Sequence, residues 1–351
     1  MILLANINVL DCTLRDGGYV NNWNFSNEIS IKLINSLRKS KIEYIELGYI
    51  NKKNGKCKNT TMFNNIECIN NIITDNDAKY VIMLDLGDFD IDDIEYNSNI
   101  FGIRLTFSKE HWKTAAEDAK KIIAKGFKVF LQPMLTLCYT DKELLELINV
   151  FNEIDIYAFY IVDTFGAMQS DDVLRFASLI DDNLRSDVKL GFHAHNNLQL
   201  AYSNAIALVK MSSNRELIID SSVYGMGRAA GNLNTELFAD YLIKNFNKEY
   251  EIEPLLDIID NFLSMIYKEN YWGYSVPHYI SGIYNCHPYY SSYLADKKEL
   301  SAKDIENIVK NISETKKYEF DKNYIEKLYV KHNSNKAIIY NYEFLKRHIS
   351  G

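Results

Sequence analysis

Up to about residue 245 the chain alternates short β-branched and aromatic runs with longer stretches whose apolar positions recur at helical spacing. The short runs predict strands over Asn6–Thr13, Tyr44–Ile50, Tyr80–Leu86, Phe101–Phe107, Lys128–Leu135, Ala158–Asp163, Lys189–His195 and Leu217–Val223. The longer ones predict helices over Asn27–Ser40, Lys109–Lys125, Asp141–Phe151, Asp171–Leu184, Leu198–Met211 and Asn234–Phe246, with Ser26, Ser108 and Ser170 in capping positions. Eight βα units in roughly 240 residues fit a closed (β/α)8 barrel, which takes about 250. An open doubly wound sheet satisfies the same count. The polar residues separate the two. Asp11 and Asp16, Glu46, Asp85, Arg104, Gln132, Asp163, His193, His195 and Asp220 all fall late in a strand or just beyond it. Such ends converge on one face of a barrel and spread apart along an open sheet, so the pattern favours an α/β TIM barrel.

After about Glu251 the pattern changes to helices rich in aromatics and lysine, at 255–270 and 301–313. Between them runs an aromatic-dense stretch from Tyr271 through His278 to Cys286-His-Pro-Tyr-Tyr-Ser-Ser292. The expected organisation is a barrel over 1–250 and a mainly helical C-terminal domain over 251–351. No low-complexity linker and no repeat beyond the βα period is present.

Composition narrows the field of functions. Hydrophobic residues make up 47% and charged residues 25% of the 351, enough for an ordinary globular core. A net charge of −8 argues against non-specific binding to nucleic acid, while leaving room for a locally basic pocket that takes an anionic substrate. The five cysteines are scattered and odd in number, with no CxxC, which predicts reduced thiols and a cytoplasmic protein. The N-terminal run Met-Ile-Leu-Leu-Ala-Asn-Ile-Asn lacks the basic start and long apolar region of a signal peptide. No run of about 18 apolar residues offers a membrane span.

Chemistry concentrates in three motifs. In Lys189-Leu-Gly-Phe-His-Ala-His-Asn-Asn197, His193 and His195 lie two apart on a strand, so both imidazoles face one side. A core pair or a hydrogen-bonded pair would share that spacing. The position at a strand end, facing an acidic first strand, favours a divalent metal, for which neutral imidazoles plus a carboxylate are a common ligand set. The second motif, Asp11-Cys-Thr-Leu-Arg-Asp-Gly-Gly18, could be a solvated turn with an ion pair. Its paired glycines instead suggest close backbone approach and unusual dihedrals beside Arg15, whose fork suits a carboxylate or enolate. The third, Tyr224-Gly-Met-Gly-Arg-Ala-Ala-Gly-Asn-Leu-Asn-Thr-Glu236, reads less well as a dinucleotide loop than as a flexible loop closing over the site, with Asn232 near the metal.

Together, Asp11-x-Thr-Leu-Arg-Asp-Gly17, Gly191-x-His-x-His-Asn196 and Gly225-x-Gly-x-x-x-Gly-Asn232 resemble the DRE-TIM metallolyase superfamily. That superfamily includes 3-hydroxy-3-methylglutaryl-CoA lyase, isopropylmalate and homocitrate synthases and 4-hydroxy-2-oxovalerate aldolase. The match covers roughly residues 5–245, and the sequence is most similar to the aldolase branch, whose tyrosine-bearing C-terminal motif resembles Tyr290-Ser-Ser-Tyr293. The resemblance implies Asp16, His193 and His195 as metal ligands, with Asn232 a neighbour or fourth ligand. Arg15 would stabilise an enolate, Tyr290 would contact substrate, and Asp11 would support the ligands without joining them. Manganese is the implied metal, with Mg, Co or Zn as alternatives. The implied partners are a small 2-oxo acid and an aldehyde, an acylating aldehyde dehydrogenase, and further copies of the chain.

One position departs from that branch, which carries a catalytic histidine where this chain has Tyr19. A free tyrosine titrates near 10 and is a poor base at neutral pH, so either Tyr19 is a catalytic residue activated by the metal and Arg15, or a metal-bound hydroxide acts, or the substrate differs. His278 and His287 are alternative acid–base candidates, or ordinary structural histidines. The leading expectation is a metal-dependent aldolase-type carbon–carbon lyase acting on a 2-oxo acid. A CoA-dependent Claisen-type synthase or lyase, and a barrel that binds a metabolite or partner without turnover, are the competing readings.

Overall fold

A computed structural model describes residues 6–75 and 78–349; the first five residues of the N-terminal run lie outside it. Eight parallel strands form the frame: β1 (Ile7–Asp11), β2 (Tyr44–Ile50), β3 (Lys79–Asp85), β4 (Gly102–Phe107), β5 (Lys128–Pro133), β6 (Ala158–Asp163), β7 (Lys189–Ala194) and β8 (Leu217–Ser221). Each pairs with the next, and β8 returns to β1, where Ile7 to Asp11 run beside Leu217 to Ser221. The β1–β2 pairing closes the sheet, so this is the (β/α)8 barrel and not the open sheet.

Helices α1 (Asn27–Lys39), α2 (Trp112–Ala124), α3 (Asp141–Asn152), α4 (Ser170–Asn183), α5 (Ala201–Val209) and α6 (Thr235–Phe246) follow β1, β4, β5, β6, β7 and β8. Each buries an apolar stripe, such as Leu33, Ile34 and Leu37 of α1, against the outside of the sheet. Ser26 caps α1 as expected, its hydroxyl accepting from the Ile29 amide at 3.2 Å. Ser108 precedes a short 3₁₀ turn instead, and Ser170 is the first residue of α4, behind Gln169.

Among the described residues, no α-helix follows β2 or β3. The β2–β3 connection carries a two-residue strand, Met62–Phe63, and a 3₁₀ turn, Glu67–Asn71. It also corrects the expectation of five reduced thiols. Cys57 and Cys68, with Cα atoms 4.9 Å apart in this folded-back connection, form a disulfide. Their separation of 11 residues shows no motif, so composition alone could not pair them. No helix among the described residues is long and apolar enough to cross a membrane.

The chain divides into two compact units, 1–273 and 274–351. Residues 251–273 belong with the barrel. The Glu251 amide donates to Ser40, the Tyr250 hydroxyl to Glu43 and the Trp272 indole to Tyr224. Helices α7 (Glu253–Ile258) and α8 (Ser264–Glu269) lie in this part. The second unit holds α9 (Val276–Ile283), α10 (Pro288–Ala295), α11 (Ala302–Lys310) and α12 (Lys322–Ile349). Its own core includes Ile280, Cys286, Tyr290, Leu294, Ile305 and Val309.

Candidate active site

Strand alternation builds the site. Residues two apart face the barrel axis together, so Leu10, Tyr44, Val81, Phe130, Ala158 and Ile218 fill its N-terminal end. One step further along the same strands come Cys12, Glu46, Met83, Gln132, Tyr160 and Asp220, with Arg104 and His193 beside them. The interior thus turns polar toward the C-terminal ends.

There the charges join into a buried chain. Arg104, fully buried, donates to Glu46 at 2.8 Å and to Asp220, with its guanidinium 5.1 Å from the Tyr160 ring centre. Glu46 also accepts from Arg15 Nε at 2.8 Å, and Arg15 Nη1 reaches Asp16 at 2.5 Å. Asp220 meets His193 Nδ1 at 2.9 Å, which leaves Nε2 as that ring's free nitrogen. Burial pushes the Asp16 carboxyl up, but the cationic neighbours, Arg15 first and Arg228 with it, outweigh it and hold the group below the usual carboxylate range. Asp220 likewise stays ionised against its burial, through Arg104 and His193.

Asp16, His193 and His195 each offer one ligand atom, and these atoms lie within 4.8 Å of one another. Asn232 adds a fourth side chain, its Nδ2 2.6 Å from Asp16 Oδ2. Two observations fit a divalent cation here. His195 Nδ1 and Asn232 Oδ1 are buried without hydrogen-bond partners, and burial holds the His195 ring well below its usual pKa, as a neutral donor. The buried chain sets three carboxylates against the two guanidiniums of Arg15 and Arg104, with Arg228 acting on Asp16 from the cavity wall.

Local structure explains how these groups arrive. Beyond β1 the chain turns helically at Thr13–Asp16, with the Asp16 amide bonded to Cys12 at 2.8 Å. Asp11 anchors that turn from below, accepting from the Thr13 amide at 3.0 Å and the Thr235 hydroxyl at 2.7 Å. Gly17 has an ordinary φ of −61°, so the expectation of unusual dihedrals is corrected. The glycines serve close approach, since a Cβ on Gly18 would sit 2.1 Å from the Trp23 ring. The loop after β8 is pinned rather than loose. The Asn196 amide donates to Gly231 at 2.9 Å, Asn232 to Gly225 at 3.1 Å, and Arg228 Nη2 to Thr164 at 2.9 Å. A Cβ on Gly227 would lie 2.7 Å from Asp16 Oδ2, so glycine lets the loop press on the Asp16–Asn232 pair.

These groups open into a cavity of about 90 Å³ lined by Arg15, Asp16, Tyr19, Tyr49, Asp85, Thr106, His193, His195 and Arg228, among others. Tyr19 lies here, its ring edge packed on Trp23 at 4.6 Å and 5.5 Å from the Arg228 guanidinium. Burial raises its hydroxyl, and the pull of Arg228 and Arg15 does not offset this. Tyr290, by contrast, is buried in the second unit. Its hydroxyl donates toward the Lys316 and Glu319 carbonyls, each at 2.7 Å, and accepts from the Asp321 amide at 3.2 Å. His278 and His287 also sit in that unit, His278 3.4 Å from Ser292 and His287 capping α10. Sequence reasoning missed Arg228, because only the glycines of its loop were read. It marked Glu46, Arg104, Asp85 and Asp220 by position but gave them no role, although a charge inside an apolar strand is itself a signal.

A model described as HMGL-like matches residues 6–260. The chain is 24% identical over 263 residues to a 4-hydroxy-2-oxovalerate aldolase from Pseudoalteromonas translucida, covering 72% of this chain and 74% of that protein. It is 24% identical over 233 residues to an oxaloacetate decarboxylase from Mycobacterium tuberculosis, covering 65% of this chain and 67% of that one. Among solved structures, the N-terminal domain of an aldolase candidate from Bacteroides vulgatus superposes with a TM-score of 0.72 at 29% identity, over 84% of this chain and 98% of that domain. A hydroxymethylglutaryl-CoA lyase from Pseudomonas aeruginosa shares the fold at a TM-score of 0.60 and 16% identity, over 76% and 94% of the two chains.

Proposed function

The chain belongs to the HMGL-like family, and from that premise we propose a divalent-metal-dependent carbon–carbon lyase of the aldolase type, acting on a 2-oxo acid. The observation that carries this reading is the meeting of Asp16, His193, His195 and Arg15 in one small cavity. The names of the relatives, an aldolase and an oxaloacetate decarboxylase, share the release of a pyruvate enolate.

Asp16, His193 and His195 would hold the cation, with Asn232 beside them; once bound, it supplies Lewis-acid polarisation of the 2-oxo group. Arg15 does the protein's part. Glu46 and Asp16 fix its guanidinium, and its Nη2 is buried without a partner, a donor ready for the oxygen on which enolate charge develops. Arg228 adds a second guanidinium to the cavity wall, suited to a substrate carboxylate. Tyr19 keeps its proton at neutral pH and serves as a donor. Manganese is the first metal to test, and further copies of the chain or an aldehyde-consuming dehydrogenase complete the reading as partners.

The test uses the purified chain with Mn²⁺, pyruvate and a panel of aldehydes. Condensation products should form, vanish with chelator and return with metal. Products that persist undiminished in chelator, or in Arg15→Ala, would overturn the reading.

A further inference from the structure

We propose that Asp85 is the proton carrier of this lyase, taking the hydroxyl proton of a 4-hydroxy-2-oxo acid as its carbon–carbon bond breaks. The inference rests on the 2-oxo-acid reading above. Asp85 is the last residue of β3, two beyond Met83 and four beyond Val81, so strand alternation turns it into the barrel mouth. It lines the same cavity as Asp16, His193, His195 and Arg15.

What distinguishes it is isolation. Asp16, Glu46 and Asp220, the other acids facing this interior, are each tied to an arginine. No side-chain donor or cation among the described residues bonds the Asp85 carboxyl; only the Leu86 amide stands by it. The groups facing it are Asp88 from the turn that follows, Tyr49 from β2 and Tyr19 from the segment after β1. Asp88 is already engaged, accepting from the Tyr49 hydroxyl and from Asn51 at 2.9 Å. Arg228 shares the cavity, but its charge falls on Tyr19 and Asp16. Burial first, and then the Asp88 charge, raise the Asp85 carboxyl to about 7. Near neutrality both of its forms are then populated, as a group needs that accepts a proton in cleavage and returns it in condensation.

The step balances. The Asp85 carboxylate removes the C4 hydroxyl proton, and the O–H electron pair becomes the second bond of the aldehyde carbonyl. The C3–C4 bond breaks, its pair becomes the C2–C3 double bond, and the π pair of the C2 carbonyl moves onto its oxygen, giving the pyruvate enolate whose charge Arg15 Nη2 is placed to meet. Tyr19, whose hydroxyl is pushed up from its ordinary value, stands in this arrangement as a proton donor.

The experiment compares wild type, Asp85→Asn and Asp85→Glu, all loaded with Mn²⁺, on 4-hydroxy-2-oxo-acid cleavage and on oxaloacetate decarboxylation. The latter forms the same enolate with no hydroxyl proton to remove. Asp85→Asn should lose about 10²–10⁴-fold in cleavage, with decarboxylation spared by a factor of about ten or more. Asp85→Glu should recover part of the cleavage. Wild-type kcat/KM for cleavage should rise with pH through about 7, and the residual activity of Asp85→Asn should lack that limb. Equal losses in both reactions, an unchanged pH limb, or unimpaired cleavage in Asp85→Asn would each overturn the role. A Mn²⁺-bound wild type that cleaves no 4-hydroxy-2-oxo acid overturns the underlying function instead. Mn²⁺ titration of each variant separates loss of chemistry from loss of fold.

Discussion

At the N-terminal end of the strands the barrel is filled by Leu10, Tyr44, Val81, Phe130, Ala158 and Ile218. Two residues further along those strands stand Cys12, Glu46, Met83, Gln132, Tyr160 and Asp220. The first set asks only for volume, and close packing of apolar groups supplies stability directly. The second buries charges, which costs desolvation that pairing only partly returns. Apolar side chains of similar size would hold the barrel closed as well. The charged layer is therefore explained by what it positions, namely Arg15 through Glu46 and His193 through Asp220. One pleat repeat separates the part of the barrel that keeps it folded from the part that does chemistry.

Substitutions at either end put that separation at risk. The largest effect is expected from Phe130→Ala, which empties a fully buried ring position and should cost about 3–5 kcal/mol in urea unfolding. The folded fraction should bind Mn²⁺ as tightly as wild type. A parallel fall in metal affinity would mean that the two layers are one mechanical unit. Next comes Arg15→Lys, which keeps a charge beside Glu46 and Asp16 but loses the fork. Its kcat should drop about 10²–10³-fold, as for the loss of one oxyanion donor, with a far smaller change in unfolding midpoint. Steady-state kinetics beside thermal melts decide it, and retained kcat would leave the unpartnered Nη2 without a role.

The two ends were not equally legible in the sequence. Alternating apolar runs and helical periodicity carry the barrel, because burial on both faces of a parallel strand demands them. His193-x-His195 and Arg15-Asp16 were readable for the same reason, since strand period and a strand-end turn dictate where such side chains face. The chain of charge through Arg104 was not. Glu46, Arg104 and Asp220 lie on three different strands, and only closure of the barrel brings them together. The Cys57–Cys68 bond was hidden likewise, in a connection with no periodicity to place it. Arg228 was masked by the glycines around it, whose role in close approach became plain only beside Asp16.

Asp220→Asn sharpens the comparison from the charged side. It keeps an acceptor for the His193 ring but removes the charge that Arg104 needs. Mn²⁺ affinity should weaken about 10–100-fold by titration calorimetry, as for loss of a group that orients a ligand. Unchanged affinity would show that packing alone orients His193.

The smallest effect concerns Asp11, which stands outside the Asp16–His193–His195 cluster and steadies the turn that carries Arg15 and Asp16. Burial raises its carboxyl to about 6, against the opposing bonds from Thr235 and Thr13. In the unfolded chain the group titrates near its ordinary value of 3.8, so between about pH 4 and 6 the folded state holds more of this proton. The sign follows: this group's contribution is fullest below 3.8 and is lost as pH rises through about 6. Its share of the slope is at most about 1.4 kcal/mol per pH unit. Asp11→Asn cannot titrate, so the stability difference between wild type and variant should shift in favour of the variant across that window and stay flat above it. Chemical unfolding at pH 4, 5, 6 and 7.5 measures this. A difference that moves the other way would mean that Thr13 and Thr235 hold Asp11 ionised, placing a further negative charge beneath the turn that carries Arg15.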